Sequence, residues 1–100
     1  MKFVAITACP TGVAHTYMAA EQLSKTAKKL GHEIKVETQG AMGIENELTD
    51  KDIASADAAI LAVDIMIEKE ERFDTIPKIR ASVQEAIKNP EAVFARQAKK

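Results

Sequence analysis

A chain of 100 residues, 46% apolar and 29% charged, has room for one folded core and no second, and its composition is globular rather than disordered. A formal net charge of −1 and an aromatic content of 4% argue against a nucleic-acid footprint, an anionic-membrane surface or a base-stacking platform. The single cysteine excludes an internal disulfide, a two-cysteine redox relay and a thiolate metal cage, and it points to a reducing, cytosolic compartment.

The N-terminal M-K-F-V-A-I-T lacks the layout of a signal peptide and reads better as a strand. Lys2 to Ala8 is a nearly continuous apolar run, as expected of a strand buried on both faces. From Val13 the period changes. Val13, Tyr17, Ala20, Leu23, Ala27 and Leu30 recur at three- and four-residue steps and predict one apolar face of a helix. Lys28 and Lys29 suit its last turn and Gly31 its stop. In H-E-I-K-V-E-T-Q-G, Ile34 and Val36 alternate with Glu33, Lys35 and Glu37, which predicts a half-exposed strand at a sheet edge. His32, at the helix end, is expected to face solvent.

Ala41 to Glu47 reads as a loop or single turn, and Thr49 or Asp50 can cap a short helix through Ala56. Ala58 to Val63 is a wholly apolar strand closed by Asp64, and the polar stretch after it is helical or irregular. Pro77 to Ser82 offers a short fourth strand, Val83 to Lys88 a helix, and Pro90 opens a last helix through Ala98. Strands alternating with helices predict a single Rossmann-like α/β domain. Its sheet is expected to be four-stranded, mainly parallel, in the order 2-1-3-4, with helices on both faces.

In such sheets ligands sit beyond the carboxyl ends of the strands, where the order reverses. Cys9 occupies that place. Pro10, Thr11, Gly12, Val13, Ala14, His15 and Thr16 then lead into a helix N-terminus, whose unpaired amides and dipole attract anions. Gly12 would let backbone amides converge on one anion. The same field favours the thiolate, so Cys9 should be a better nucleophile than an ordinary cysteine. A thiolate inside an anion cradle suggests attack on phosphorus. Most lone cysteines are small core residues, but the proline, threonine, glycine and histidine that follow Cys9 are loop chemistry. His15 is a candidate for stabilising the thiolate or the bound phosphoryl group; Thr11 and Thr16 could donate hydroxyls or simply cap.

Phosphatases with a cysteine in such a loop carry Cys-x5-Arg. Here the pattern is Cys-x5-His, from Cys9 to His15. Without the bidentate arginine, attack by water should be slow, and a loop that takes a phosphoryl group without hydrolysing it is a relay. A phosphatase of similar architecture and a non-catalytic anion-binding module are the alternatives; a thiol reductase lacks its resolving cysteine.

The stretch I-T-A-C-P-T-G-V-A-H-T-Y-M-A-A, Ile6 to Ala20, resembles the enzyme IIB components of the fructose class of the bacterial phosphoenolpyruvate-dependent sugar phosphotransferase system. The resemblance extends through Ile34 to Thr49 and Asp52 to Asp64, takes in Arg72–Phe73 and Ser82 to Ile87, and is weakest over Ile65 to Glu71. It implies that Cys9 receives a phosphoryl group from a phosphohistidine of a IIA component. Cys9 would then pass it to a fructose-like sugar held by the membrane component IIC. The domain would work in the cytoplasm, beside the inner membrane, with neither cofactor nor metal. Gln39 and Gly40 close the second strand and Asp64 the third, so all three are candidate accessory residues. Gln39 would hydrogen-bond the phosphoryl group or position the loop. Asp64 would cap or contact a partner, since its charge repels phosphate. Arg72 is either a solvated charge or a contact to partner or phosphate.

Overall fold

The computed structural model describes residues 1–9, 13–40 and 43–96. Five strands form one mixed sheet: β1 (Lys2–Ala8), β2 (Glu33–Gly40), β3 (Gly43–Glu45), β4 (Ala58–Val63) and β5 (Lys78–Ala81), in the spatial order β3-β2-β1-β4-β5. β1 pairs in parallel with β2 and β4, and β4 with β5, as the alternation of strands and helices predicts. The four-stranded expectation requires correction at one edge. Ala41 to Glu47 was expected to be a loop or turn, but Gly43–Glu45 returns antiparallel along β2 and pairs Gly40 with Gly43, Gln39 with Ile44 and Thr38 with Glu45. Gly43 takes φ +91°, a left-handed backbone that glycine adopts without a Cβ clash.

Helices cover both faces. On one side lie α1 (Val13–Lys29), α3 (Val83–Lys88) and α4 (Pro90–Ala95), packed on Phe3, Ala5, Ala58, Ile60 and Ala62. On the other, α2 (Asp50–Ala54) and a 3₁₀ turn at Glu70–Phe73 cover Val4, Ile6, Ala59 and Leu61 through Leu48, Ile53 and Phe73. The alternation of β1 and β4 between these two clusters explains their continuous apolar sequences: each strand has no solvent face. The expected end of the last helix beyond residue 96 lies outside the described residues.

The buried stripe of α1 is offset from the expected one. It consists of Thr16, Ala19, Leu23, Thr26 and Ala27, while Tyr17 and Leu30 are exposed. Small residues at this contact allow the helix to lie close to the sheet, and the Thr7 hydroxyl donates to the Thr16 carbonyl at 3.0 Å, fixing that approach. Tyr17 instead reaches outward, its hydroxyl donating to Glu45 on β3. His32 is also not simply solvent-facing. It is half-buried, edge-on to Phe3 at 5.1 Å and stacked with Phe94 at 6.0 Å.

Candidate functional site

Cys9 follows the last residue of β1, half-buried, at the carboxyl end of the sheet. Beside it opens a cleft of about 360 Å³. Its walls come from three elements. Cys9 with His15 and Met18 of α1 forms one; Asp64, just past β4, forms the second; Val83, Gln84, Ile87 and Lys88 of α3 form the third. His15 and Met18 are exposed on the first two turns of α1. Three segments distant in sequence thus converge where the parallel topology places a ligand. Pro10, Thr11 and Gly12, together with the side chain of Val13, lie outside the described residues. Ala14 is exposed at the start of α1.

Thr16 sits at the base of this helix start and is 2% exposed. Its carbonyl accepts from Thr7, but among the described residues its own hydroxyl is the one buried side-chain polar atom without a hydrogen-bond partner. An orphaned buried hydroxyl is costly unless something pairs with it.

Asp64 is fixed from both ends. Its amide donates to the Ala8 carbonyl at 3.1 Å, and its carboxylate accepts from the Val83 amide at 3.3 Å. It therefore accepts one amide at the start of α3, alongside the Ser82–Glu85 capping box. Gly40 is exposed at the end of β2 and pairs with Gly43.

Gln39 is buried, and its amide is committed. Its nitrogen donates to Glu37 at 2.7 Å and to the Glu68 carbonyl at 3.2 Å, and its oxygen accepts from the Glu68 amide at 2.9 Å. These partners lie on β2 and in the segment around Glu68, not in the loop after Cys9. The sequence reading missed Glu37, which the alternation of β2 puts on a solvent face. Glu37 is instead 0% exposed. It forms a forked ion pair with Arg72, at 3.0 and 3.1 Å, and accepts from the Leu48 amide at 2.8 Å. Arg72 is therefore not a solvated charge; it also donates to the carbonyls of Lys69 at 2.8 Å and Leu48 at 3.3 Å. Burial pushes the Glu37 carboxyl up, but hydrogen bonds from Arg72, Gln39 and the Leu48 amide together outweigh it and hold the group below its ordinary value of 4.5. A covering partner 35 residues further along the chain leaves no local signal in the sequence.

Among the described residues, no group of three His, Cys, Asp or Glu is arranged to hold a metal ion, and no helix is long and apolar enough to cross a membrane.

Residues 4–96 match the family described as the lactose/cellobiose-specific IIB subunit of the PTS system. Over 95 residues, 95% of this chain and 90% of the relative, the sequence is 54% identical to the PTS system fructose-like EIIB component 2 of Escherichia coli strain K12. It is 50% identical, over 91% of this chain but 14% of the relative, to the PTS system 2-O-alpha-mannosyl-D-glycerate-specific EIIABC component of the same strain. A crystal structure of a domain from the fructose-specific IIABC component of Borrelia burgdorferi superimposes with a TM-score of 0.92 at 48% identity, covering 98% of this chain and 93% of that domain. The sugars in these names differ while the fold and the identity hold. The chain belongs to the IIB family of the sugar phosphotransferase system, a family of phosphotransfer relays in sugar uptake.

Proposed function

We propose that Cys9 is the residue that carries the phosphoryl group. The observation that carries this reading is the position of the chain's one thiol, at the carboxyl end of the central strand and in the wall of a cleft that α1, α3 and Asp64 complete. The Cys9 thiolate attacks the phosphorus of a phosphohistidine on a IIA donor. A sulfur–phosphorus bond forms, the nitrogen–phosphorus bond breaks, and the imidazole keeps the electron pair. In the second half-reaction a hydroxyl of a sugar held by the membrane component IIC attacks the same phosphorus. An oxygen–phosphorus bond forms, the thiolate leaves, and the hydroxyl proton goes to a base. This makes the chain a protein-phosphocysteine–sugar phosphotransferase.

Residues Pro10 to Thr16 form the phosphate loop of this reading, with amides at the start of α1 facing the three phosphoryl oxygens. His15 stands on the cleft wall, where a ring N–H can donate to a phosphoryl oxygen. The IIA and IIC partners follow from relatives in which A, B and C components share one chain. The carried sugar is fructose-like, after the fructose-like name of a relative. The domain works in the cytoplasm, against the inner membrane where IIC sits, and needs no cofactor.

Intact-mass analysis tests the reading. The protein and its Cys9→Ser variant are incubated with phosphoenolpyruvate, the general phosphotransfer proteins and a IIA component. One added phosphoryl group, with the lability of a thiophosphate and absent from the variant, is expected. Persistence of that group in water separates a relay from a phosphatase. An unmodified protein beside fully phosphorylated IIA components would overturn it.

A further inference from the structure

The connection from Asp64 to Lys69 has no regular secondary structure, yet both its ends are tied. At the near end Asp64 bonds Ala8 and Val83 and walls the Cys9 cleft. At the far end the backbone of Glu68 and Lys69 is gripped by side chains: Gln39 holds both the amide and the carbonyl of Glu68, and Arg72 holds the carbonyl of Lys69. Lys69 adopts φ +61°, a left-handed conformation that a lysine rarely takes and that this grip sustains. Between the ends, Ile67 packs into the core cluster beneath α2, while Ile65 and Met66 stand out at 40% and 96% exposure. The segment thus passes from the cleft to the opposite face of the sheet.

The pair that anchors this grip is poorly explained by stability alone. A fully buried carboxylate and a largely buried guanidinium lose most of their hydration, and well-packed apolar residues of the same volume serve a core as well or better. Polar clusters of this kind instead specify one arrangement. Here the arrangement specified is that of the backbone at residues 48, 68 and 69, where Leu48, Glu68 and Lys69 meet Glu37, Gln39 and Arg72.

We infer that Glu37, Gln39 and Arg72 are positioning residues for phosphoryl transfer: they clamp the connection Asp64–Lys69 and so fix the wall and approach of the Cys9 cleft that a donor protein meets. The inference rests on the reading of Cys9 as phosphoryl acceptor. None of the three touches the reacting atoms; they act through Asp64 and the segment that follows it.

The test exploits the apolar replacement. The double variant Glu37→Met/Arg72→Leu removes both charges together, so no lone buried charge remains and the fold is retained, which thermal denaturation checks. Transfer from phosphorylated IIA is then followed by rapid quench. A Tm within a few degrees of the parent, with kcat/KM for the donor at least tenfold lower and faster hydrogen exchange at the Glu68 amide, is expected. Parental transfer kinetics in a folded double variant would overturn the clamp while leaving the phosphocysteine intact. A parent protein that never takes up a phosphoryl group would overturn both. Should the double variant not fold, Gln39→Leu carries the same test, since it keeps the Glu37–Arg72 ion pair, removes one bond to Glu37 and releases the Glu68 backbone. At least threefold slower transfer is expected there, and unchanged transfer with unchanged exchange at Glu68 would dispose of the clamp.

Discussion

Truncating Cys9 to alanine removes one sulfur from a half-buried site after the end of β1, at the margin of the core cluster under α1 and α3. The cost should stay below about 1 kcal/mol, a Tm change under about 5 °C for a domain of this length, while phosphoryl uptake falls to zero. A large loss of thermal stability would place the thiol in the core rather than in a site. His15→Ala belongs to the same class, because the imidazole is exposed on the cleft wall. Slower transfer at an unchanged Tm is expected, and unchanged kinetics would remove its role. Arg72→Ala should behave in the opposite way. It strands the Glu37 carboxylate in a site where that side chain is 0% exposed. Breaking a buried pair from one side costs about 3–5 kcal/mol, so Tm should drop by more than about 10 °C, as calorimetry would read. A drop of only a degree or two would mean that water reaches the pair.

The helix that completes the cleft is short, and its start is over-determined. Ser82 accepts from the Glu85 amide at 3.0 Å, the Glu85 side chain accepts from the Ser82 amide at 3.0 Å, and Asp64 takes the Val83 amide. Six residues are too few to hold a helix by propensity, so caps and packing decide. Ser82→Ala should cost about 1 kcal/mol and lower Tm by about 4–8 °C. Because α3 lines the cleft, the same variant should also slow transfer; full activity at the lowered Tm would separate the cap from the site. The two capping boxes, Thr49–Asp52 and Ser82–Glu85, are local patterns in which serine or threonine precedes an acidic residue by three. Of these the Thr49 cap was legible, as were the apolar strands β1 and β4 and the crossover order they impose, whereas the sequence puts Ser82 at the end of the fourth strand, which stops at Ala81. β3 was not legible, since three residues are too short to show a period of two. The inward turn of Glu37 was not legible either. Alternation along β2 holds from Glu33 to Val36, then fails as Glu37, Thr38 and Gln39 are all buried, because β3 and the segment around Arg72 cover the far half of the strand. The position of Cys9 followed from topology; the commitment of Gln39 required the path of a chain 29 residues away.

Three carboxylates in different parts of the molecule are displaced in the same direction. Glu37 is held below its ordinary value by the bonds that outweigh its burial. Asp52 is held well below the usual carboxylate range by the Lys35 ammonium and the Thr49 cap, and Glu85 is lowered by the Ser82 amide and Arg96. A group with a depressed folded pKa contributes stability above its unfolded pKa and loses it as the pH falls toward the folded value. For glutamate that window opens near the ordinary value of 4.5 and extends downward. Thermal stability should therefore be nearly level from neutral pH to about 5 and then fall steadily with acid. Asp52, half-buried, and Glu85, exposed, sit in pairs that solvent and salt reach, and added salt should erase much of their share. Glu37 is shielded, and its share should survive salt. The discriminating measurement is Tm against pH between about 6 and 3, in low and high salt, for the parent and for Glu37→Met/Arg72→Leu. A shallower acid slope in the double variant, with the difference preserved in high salt, is expected. Parallel slopes would mean that Glu37 keeps its proton equilibrium on unfolding, and that the pair contributes nothing to the pH dependence of the fold.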